Sequence, residues 1–564
     1  VLTPLTTGNW NYATAAHLLN RAAFGGTPAE IEAARAKGLA KVVSELVDAS
    51  AAATPPPAPA WAQPRNIREI RMTIREEKNE PDSRNEKRRE FRQMEGENIL
   101  DLRRWWLSQM MTTTTPLVEK MTLFWHGHFA TSVEKVRDGY WMWRQNDLLR
   151  RYALGNFAAL TKEISRDPAM MIYLDLQQSR KEHPNENWAR ELMELFTVGI
   201  GNYSEADIRE SARAFTGYRL DLTTQQFRFA PRQADVGPKT FMGKTGPLMG
   251  DDIIDILMKQ PACVQFLARK LWRFFAEDDP SAQVVDAVAS RLREHNFEMR
   301  PVLAEIFSAK EFYSASAMRT QIKSPVQYLI QTTKLLATDP PAAPVAQNAM
   351  RQMGQILFAP PNVKGWDGGK AWVSTSTLLF RYNFANYLIN GDAMRPAADP
   401  AKQKGADLGF RRGPAFANVP PRDPIDVAKI IPAELRARPA ELVAHLSTRL
   451  FQAPASDKER EAFLPIFESA RARYRRRHHA RTAPPDDEHA AISTGLTNLY
   501  GHDSSHAPEI SSHFHARRRR LLDAPGLSRE NIFRSRRHGR GRRHSDRHRQ
   551  GRHDPRRPSD GRRE

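Results

Sequence analysis

Apolar residues recur along most of this chain at intervals of three and four, the spacing of helices that bury one face. The segment from Asn11 to Arg21 carries Ala15, Leu18 and Leu19 in this register, continuing to Ala22. In "TPAEIEAARAKG", Thr27 stands as N-cap, Pro28 takes the first helical position, Glu30 follows three residues after the cap and Gly38 stops the helix. A Pro/Ala-rich stretch, "AAATPPPAPAWAQP", breaks the pattern. The charged run beginning "REIRMTIREEKNEPDSRNEKRREF" then reads as solvent-facing helix and turns apolar from Ile99. Further helical stretches follow, from "TTTPLVEKMTLFWHGHF" through "PACVQFLARKLWRFF" to "KSPVQYLIQTTKLLA", separated by short Gly and Pro breaks. Alternation of period two is confined to "QQFRFAPRQADVGPKTFMG", where two short runs about a turn predict one small hairpin.

The pattern predicts an all-α fold: a large, irregular multi-helical domain with at most a small β-hairpin, followed by a disordered C-terminal tail. Its expected organisation is N-terminal helices over 1–50, a linker over 51–64, a helical core domain over 65–390, a C-terminal helical part over 391–470 and the tail over 471–564.

Composition sharpens this in three places. With 564 residues, 40% hydrophobic and 9% aromatic, the chain can fill a sizeable core. No run of 18 or more apolar residues predicts a membrane span, and the N-terminus lacks a basic stretch followed by an apolar segment, so no export signal is expected in the sequence as given. It begins at Val1, which leaves localisation open. A single cysteine, Cys263, excludes an internal disulfide and a multi-cysteine zinc site.

The net charge of +20 suggests a nucleic-acid binder, but residues 471–564 hold 24 Arg against 11 acidic residues, which leaves only +7 for the rest. This tail has no Lys and 11 of the 17 histidines. One reading makes it a basic arm on phosphate backbones; the favoured one makes it GC-rich coding sequence read out of frame, because Arg excludes Lys completely. Nucleic acid is therefore not the expected partner.

Chemistry concentrates in four stretches. A helix through "PLVEKMTLFWHGH" places Leu117, Met121, Phe124 and His128 on one stripe, with His126 about 200° away from His128. The two histidines share a metal only if Gly127 ends the helix; otherwise they pack. In "HPNENWARELMELFTVGIG", Asn185 caps and Gly199 stops a helix whose buried stripe is Trp188, Leu192, Leu195 and Phe196. Asn187, Glu191 and Glu194 line one flank, suited to a hard metal or to acid–base work; the alternative is surface charge, with Arg190 and Glu194 as an ordinary ion pair. "YSEADIRESARAFTG" opens on a Ser204/Asp207 capping box and carries Arg213, able to clamp an anion. The Gly/Pro-rich "GQILFAPPNVKGWDGGKAW" offers Asn362, Lys364, Trp366 and Trp372 to a pocket, or packs as a structural loop. Phosphate-loop near-misses at "GPKTFMGKT" and "GWDGGKA" have the wrong spacing, and there is no Gly-x-Ser-x-Gly or His-Glu-x-x-His.

The blocks "HLLNRAAFGGTPAE", "MTLFWHGHFATS", "LGNF", "SRDPAMMIYLD", "PNENWARELMELFTVGIGNYSEADIRESARAFTGY", "KTFMG", "IKSPV" and "GQILFAPPNVKGW" together resemble the bacterial family domain of unknown function 1800. The resemblance spans roughly residues 13–385. It implies a mostly helical bacterial protein, relatives that are often exported, and a possible partner from the family domain of unknown function 1501. It implies no reaction. Where the family has His-Asp, this chain has Ala234-Asp235, and the family's apolar closing helix is replaced by the arginine-rich tail.

The resulting expectation is an enzyme with a divalent metal on His126, His128, Glu191 and Glu194, Glu191, Glu194 and Arg213 acting in catalysis, and a pocket formed by Asn187, Trp188, Asn362, Lys364, Trp366 and Trp372. The alternative is a non-catalytic helical scaffold or partner-binding protein in which the same groups make a buried polar network.

Overall fold

The first capping box forms as expected: the Thr27 side chain accepts from the Glu30 N–H while Glu30 accepts from the Thr27 N–H, and the helix Pro28–Lys37 ends at Gly38. In this computed structural model the described residues are 2–52, 55–76, 81–391, 421–478 and 496. They belong to one compact unit, Val1–His506. The expected disordered tail begins at 471, but its first residues continue the helix Asp457–His478; nearly all of the rest, and with it the choice between the tail's two readings, lies outside the described residues, as do most of 391–420.

Helices dominate, and strands among the described residues form two separate antiparallel ribbons. Tyr218–Asp221 pairs with Gln226–Phe229, and Lys239–Phe241 pairs with Lys244–Gly246. The sequence predicts one hairpin between the runs near 227 and 241; each instead pairs with its nearest neighbour in the chain. The second ribbon turns through Met242 and Gly243, both at positive φ, the conformation that matches strand twist in a two-residue turn. A short local closure costs less entropy than the longer loop the prediction required.

Two hydrophobic clusters fill the interior. The first joins Tyr12–Ala22 and Leu39–Ala52 to the helices between Phe157 and Ser308, so the N-terminal helices share a core with the middle of the chain. The second joins the apolar half of the long helix Pro81–Thr112 to Pro325–Leu335, Ala343–Gln352, Thr375–Asn390 and Pro439–Leu450. The Pro/Ala stretch lies against that long helix: Trp105 donates to the Pro57 carbonyl and Trp61 to Asp101.

The helix Pro116–His128 contributes to both clusters, Leu117, Met121, Phe124 and Trp125 to the first and Leu123 to the second. Every residue from Leu117 to His128 except Gly127 is buried. Gly127 is left open for the loop after Gly354. A Cβ on Gly365, which sits at φ +84°, would come within 2.2 Å of the Gly127 carbonyl oxygen. Only two glycines let these backbones meet.

Gly365→Ala should therefore cost about 2–4 kcal/mol of unfolding free energy, from backbone strain plus a clash that neither segment can relieve. Gly368→Ala, at φ +75° with open space around it, should cost only about 1–2 kcal/mol. Urea unfolding of the two variants separates the terms; equal losses would mean that the loop is not seated on the helix.

Candidate functional site

The histidine helix runs unbroken through Gly127 to His128, so the two imidazoles diverge as the spacing predicts. His126 meets Trp106, Phe358 and Trp366, and its Nε2 accepts the Phe358 N–H at 3.1 Å. Burial pushes its pKa down to about 3, which keeps the ring neutral. His128 lies among Phe129, Phe157, Phe196 and Phe266, with Nε2 3.0 Å from the Phe196 carbonyl and Nδ1 3.3 Å from Lys270 Nζ. A carbonyl oxygen only accepts, so Nε2 carries the proton and Nδ1 presents a bare lone pair to Lys270. Burial, then the Lys270 charge, holds the His128 pKa well below its usual value.

The carboxylate helix holds a surprise of register. Glu186–Glu191 is α-helical, but Leu192–Thr197 widens into a π turn: the Val198 N–H reaches the Met193 carbonyl at 3.0 Å and Thr197 Oγ1 bonds the Leu192 carbonyl at 2.5 Å. Trp188, Leu192 and Phe196 are buried as predicted, while Met193 takes the core place expected for Leu195. The carbonyls of Leu195 and Phe196, near the end of the turn, are capped by Lys270 and His128.

Glu191 and Glu194 do lie close enough to interact. Burial and then the Glu194 charge raise the Glu191 pKa, and Glu194 accepts a hydrogen bond from Tyr203 at 2.8 Å. Arg190 pairs with Glu205 and Glu186 rather than with Glu194. Asn187 donates to the Leu174 carbonyl, and Trp188 is buried among Phe196 and Phe215. Arg213 is bound to Asp235 at 2.7 Å and to Glu210 at 2.8 Å, which neutralises it within the chain. Next to it, Ala234 is buried and packs beneath Gly217.

The expected metal set is therefore not brought together. The known partners of both imidazoles are protein groups, and among the described residues no three His, Cys, Asp or Glu side chains stand together as metal ligands.

What the structure does assemble is a cavity of about 350 Å³ between the histidine helix, the helix Pro261–Phe275 and the loop after Gly354. His128, Lys364, Trp366 and Trp372, all predicted, line it. Asn362 stands back, its side chain accepting from the Lys364 N–H in a turn that presents Lys364. Two lysines that the sequence reading missed complete the lining, together with Arg273, Asp278 and Asp367.

Lys120 is only 2% exposed, donates to Gln327 Oε1 at 2.8 Å and lies over the rings of Phe24 and Phe274. Lys270 donates to the Leu195 carbonyl at 3.1 Å, contacts His128 Nδ1 and lies over Phe266. Burial, then Arg21, brings the Lys120 pKa down to about 7; burial, then Arg273 and Lys364, brings Lys270 to about 7. Neither lysine has a carboxylate within ion-pair distance among the described residues. In sequence both look like ordinary lysines at the edge of an apolar stripe, and nothing local marks them.

A larger groove of about 1070 Å³ passes Thr112–Thr115, but its Arg150 is held bidentately by Glu119 at 2.6 and 3.0 Å and has no charge to spare. Among the described residues no helix is long and apolar enough to cross a membrane.

A family model described as protein of unknown function (DUF1800) matches residues 17–499. The chain belongs to the DUF1800 family. Comparison with curated proteins and with solved structures gives no match. In this DUF1800 protein the chemistry-bearing groups that come together are those of the cavity.

The two lysines give stability a definite pH dependence. Below about pH 7 the folded chain holds both ammonium groups, Lys120 buried and Lys270 partly buried; between about 7 and 10 the unfolded chain holds protons that the folded chain lacks, so stability rises with pH. The difference in unfolding free energy between wild type and Lys120→Met should shift in favour of wild type across that window, measured by urea unfolding at each pH. A constant difference would overturn the burial of a titrating amine.

Proposed function

We propose that this chain is an enzyme that binds a small organic anion in the lysine-lined cavity and exchanges a proton with it through Lys270 and His128. One observation carries the reading: two lysines without acid partners among the described residues face the same cavity. A buried amine with no counter-ion is costly, and a ligand carboxylate or phosphate supplies the missing charge. Arg273 and Lys364, on the more exposed side of the lining, add to the attraction, and Trp366 and Trp372 give the organic part of the ligand an apolar wall.

The His128 tautomer supports the proton-transfer part. Its Nδ1 lone pair faces Lys270 Nζ at 3.3 Å, so a proton passing from the lysine has an acceptor already oriented. His126 and His128 are engaged by the Phe358 N–H and by the Phe196 carbonyl and Lys270, and Glu194 by Tyr203, which disfavours metal-assisted chemistry on His126, His128, Glu191 and Glu194. A second reading, the non-catalytic scaffold, is favoured by His126, whose acceptor nitrogen ties the loop at Phe358 to the histidine helix. A partner from the family domain of unknown function 1501 rests on the family resemblance alone.

Thermal melting with acetate, pyruvate, succinate and inorganic phosphate tests the main reading. At least one should raise the melting temperature of wild type at pH 6.5 and lose most of that effect at pH 9, where both amines are neutral. Lys270→Met, checked for folding by circular dichroism, should abolish the shift. No stabilisation by any of the four, or an undiminished shift in Lys270→Met, would leave only the scaffold.

A further inference from the structure

We propose that Lys270 forms an imine with an oxo acid held in this cavity, His128 Nδ1 serving as the proton relay. The inference rests on the anion-binding reading above and names its substrate class: a carboxylate that also carries an aldehyde or ketone. A carbonyl compound is singled out because the amine that faces the cavity has a base beside it, whereas a site that only bound an anion would need neither the neutral amine nor the base.

The geometry distinguishes the two lysines. Lys120 Nζ lies between two aromatic rings, 5.2 Å from the Phe24 centroid and 5.6 Å from that of Phe274, and its hydrogen bond runs to the neutral Gln327 amide. That setting offers no base. Lys270 also lies over a ring, Phe266, but it alone has an imidazole lone pair at 3.3 Å. The tautomer of that imidazole is fixed from behind by the Phe196 carbonyl, near the end of the π turn. Arg273, three residues along the same helix, and Lys364 from the loop carry charge close enough to Lys270 to act on it. A carboxylate between them therefore sits next to the amine. Desolvation together with these neighbouring cations brings Lys270 down to about 7, so that near pH 7 a substantial share of the amine is neutral and able to attack.

The step balances without a redox partner. The Lys270 lone pair forms a C–N bond as the carbonyl π bond breaks onto oxygen. His128 Nδ1 takes one proton from the nitrogen and delivers it to the alkoxide oxygen, giving the carbinolamine; it then carries the second N–H proton to that hydroxyl, which leaves as water as the C=N bond closes. Amine plus carbonyl gives imine plus water. The Lys270 nitrogen keeps its place near the Leu195 carbonyl throughout.

Glyoxylate with sodium cyanoborohydride, applied to the full-length protein and read by intact mass and peptide mapping, tests this directly. The expected result is a carboxymethyl group concentrated on Lys270, with a trapping rate that rises to half its maximum near pH 7 instead of near pH 10 as for surface lysines. Lys270→Arg should keep stabilisation by unreactive acetate and lose the adduct; wild-type mapping stands even if that variant fails to fold. Adducts scattered over surface lysines, or concentrated on Lys120, overturn the inference while acetate stabilisation leaves the anion pocket standing. Absence of both adduct and stabilisation overturns the two together.

Discussion

The structure turns on a helix that is buried on every side and yet carries five polar side chains. Glu119, Lys120, Thr122, His126 and His128 are all within Pro116–His128, and each is answered separately: Glu119 by Arg150 and Trp106, Lys120 by Gln327, Thr122 by the Val118 carbonyl, His126 by the Phe358 N–H, His128 by the Phe196 carbonyl and Lys270. An unanswered polar group in such a place costs about 1–3 kcal/mol, and more for a charge. Arranging the surrounding segments so that every group is met leaves them little freedom. The helix between the two hydrophobic clusters thus sets the positions of the elements around it.

The cavity follows from that arrangement. It opens along the flank of this helix where the two clusters part, a common place for ligands because neither side closes it. The contact of Gly365 with Gly127 brings the tryptophan loop down as its wall, and the π turn supplies the Phe196 carbonyl that sets the His128 tautomer. Gly127 in the His-Gly-His run is thus a site of backbone approach, and the two histidines divide the labour: His126 holds the loop in place, while His128 faces the cavity.

Much of the helical fold was legible from periodicity and caps, because an amphipathic repeat and a side-chain cap are local events. The capping boxes at Thr27 and Ser204, the stops at Gly38 and Gly199 and the divergence of His126 from His128 are of this kind. The π turn escaped, since a single widened turn leaves no mark in apolar spacing. So did the pairing of Arg213 with Asp235, 22 residues away, which a helical wheel has no means to show.

The sequence by itself determined the helices, the aromatic loop and His128 as a buried residue, since each depends on neighbours within a few positions. Tertiary structure alone decided that, among the described residues, no three His, Cys, Asp or Glu side chains gather as a ligand set, and that Lys120 and Lys270 face one cavity. The physical reason is desolvation: whether a lysine is an ordinary surface cation or a neutral amine depends on which distant segments cover it, and that coverage is written only in the packing.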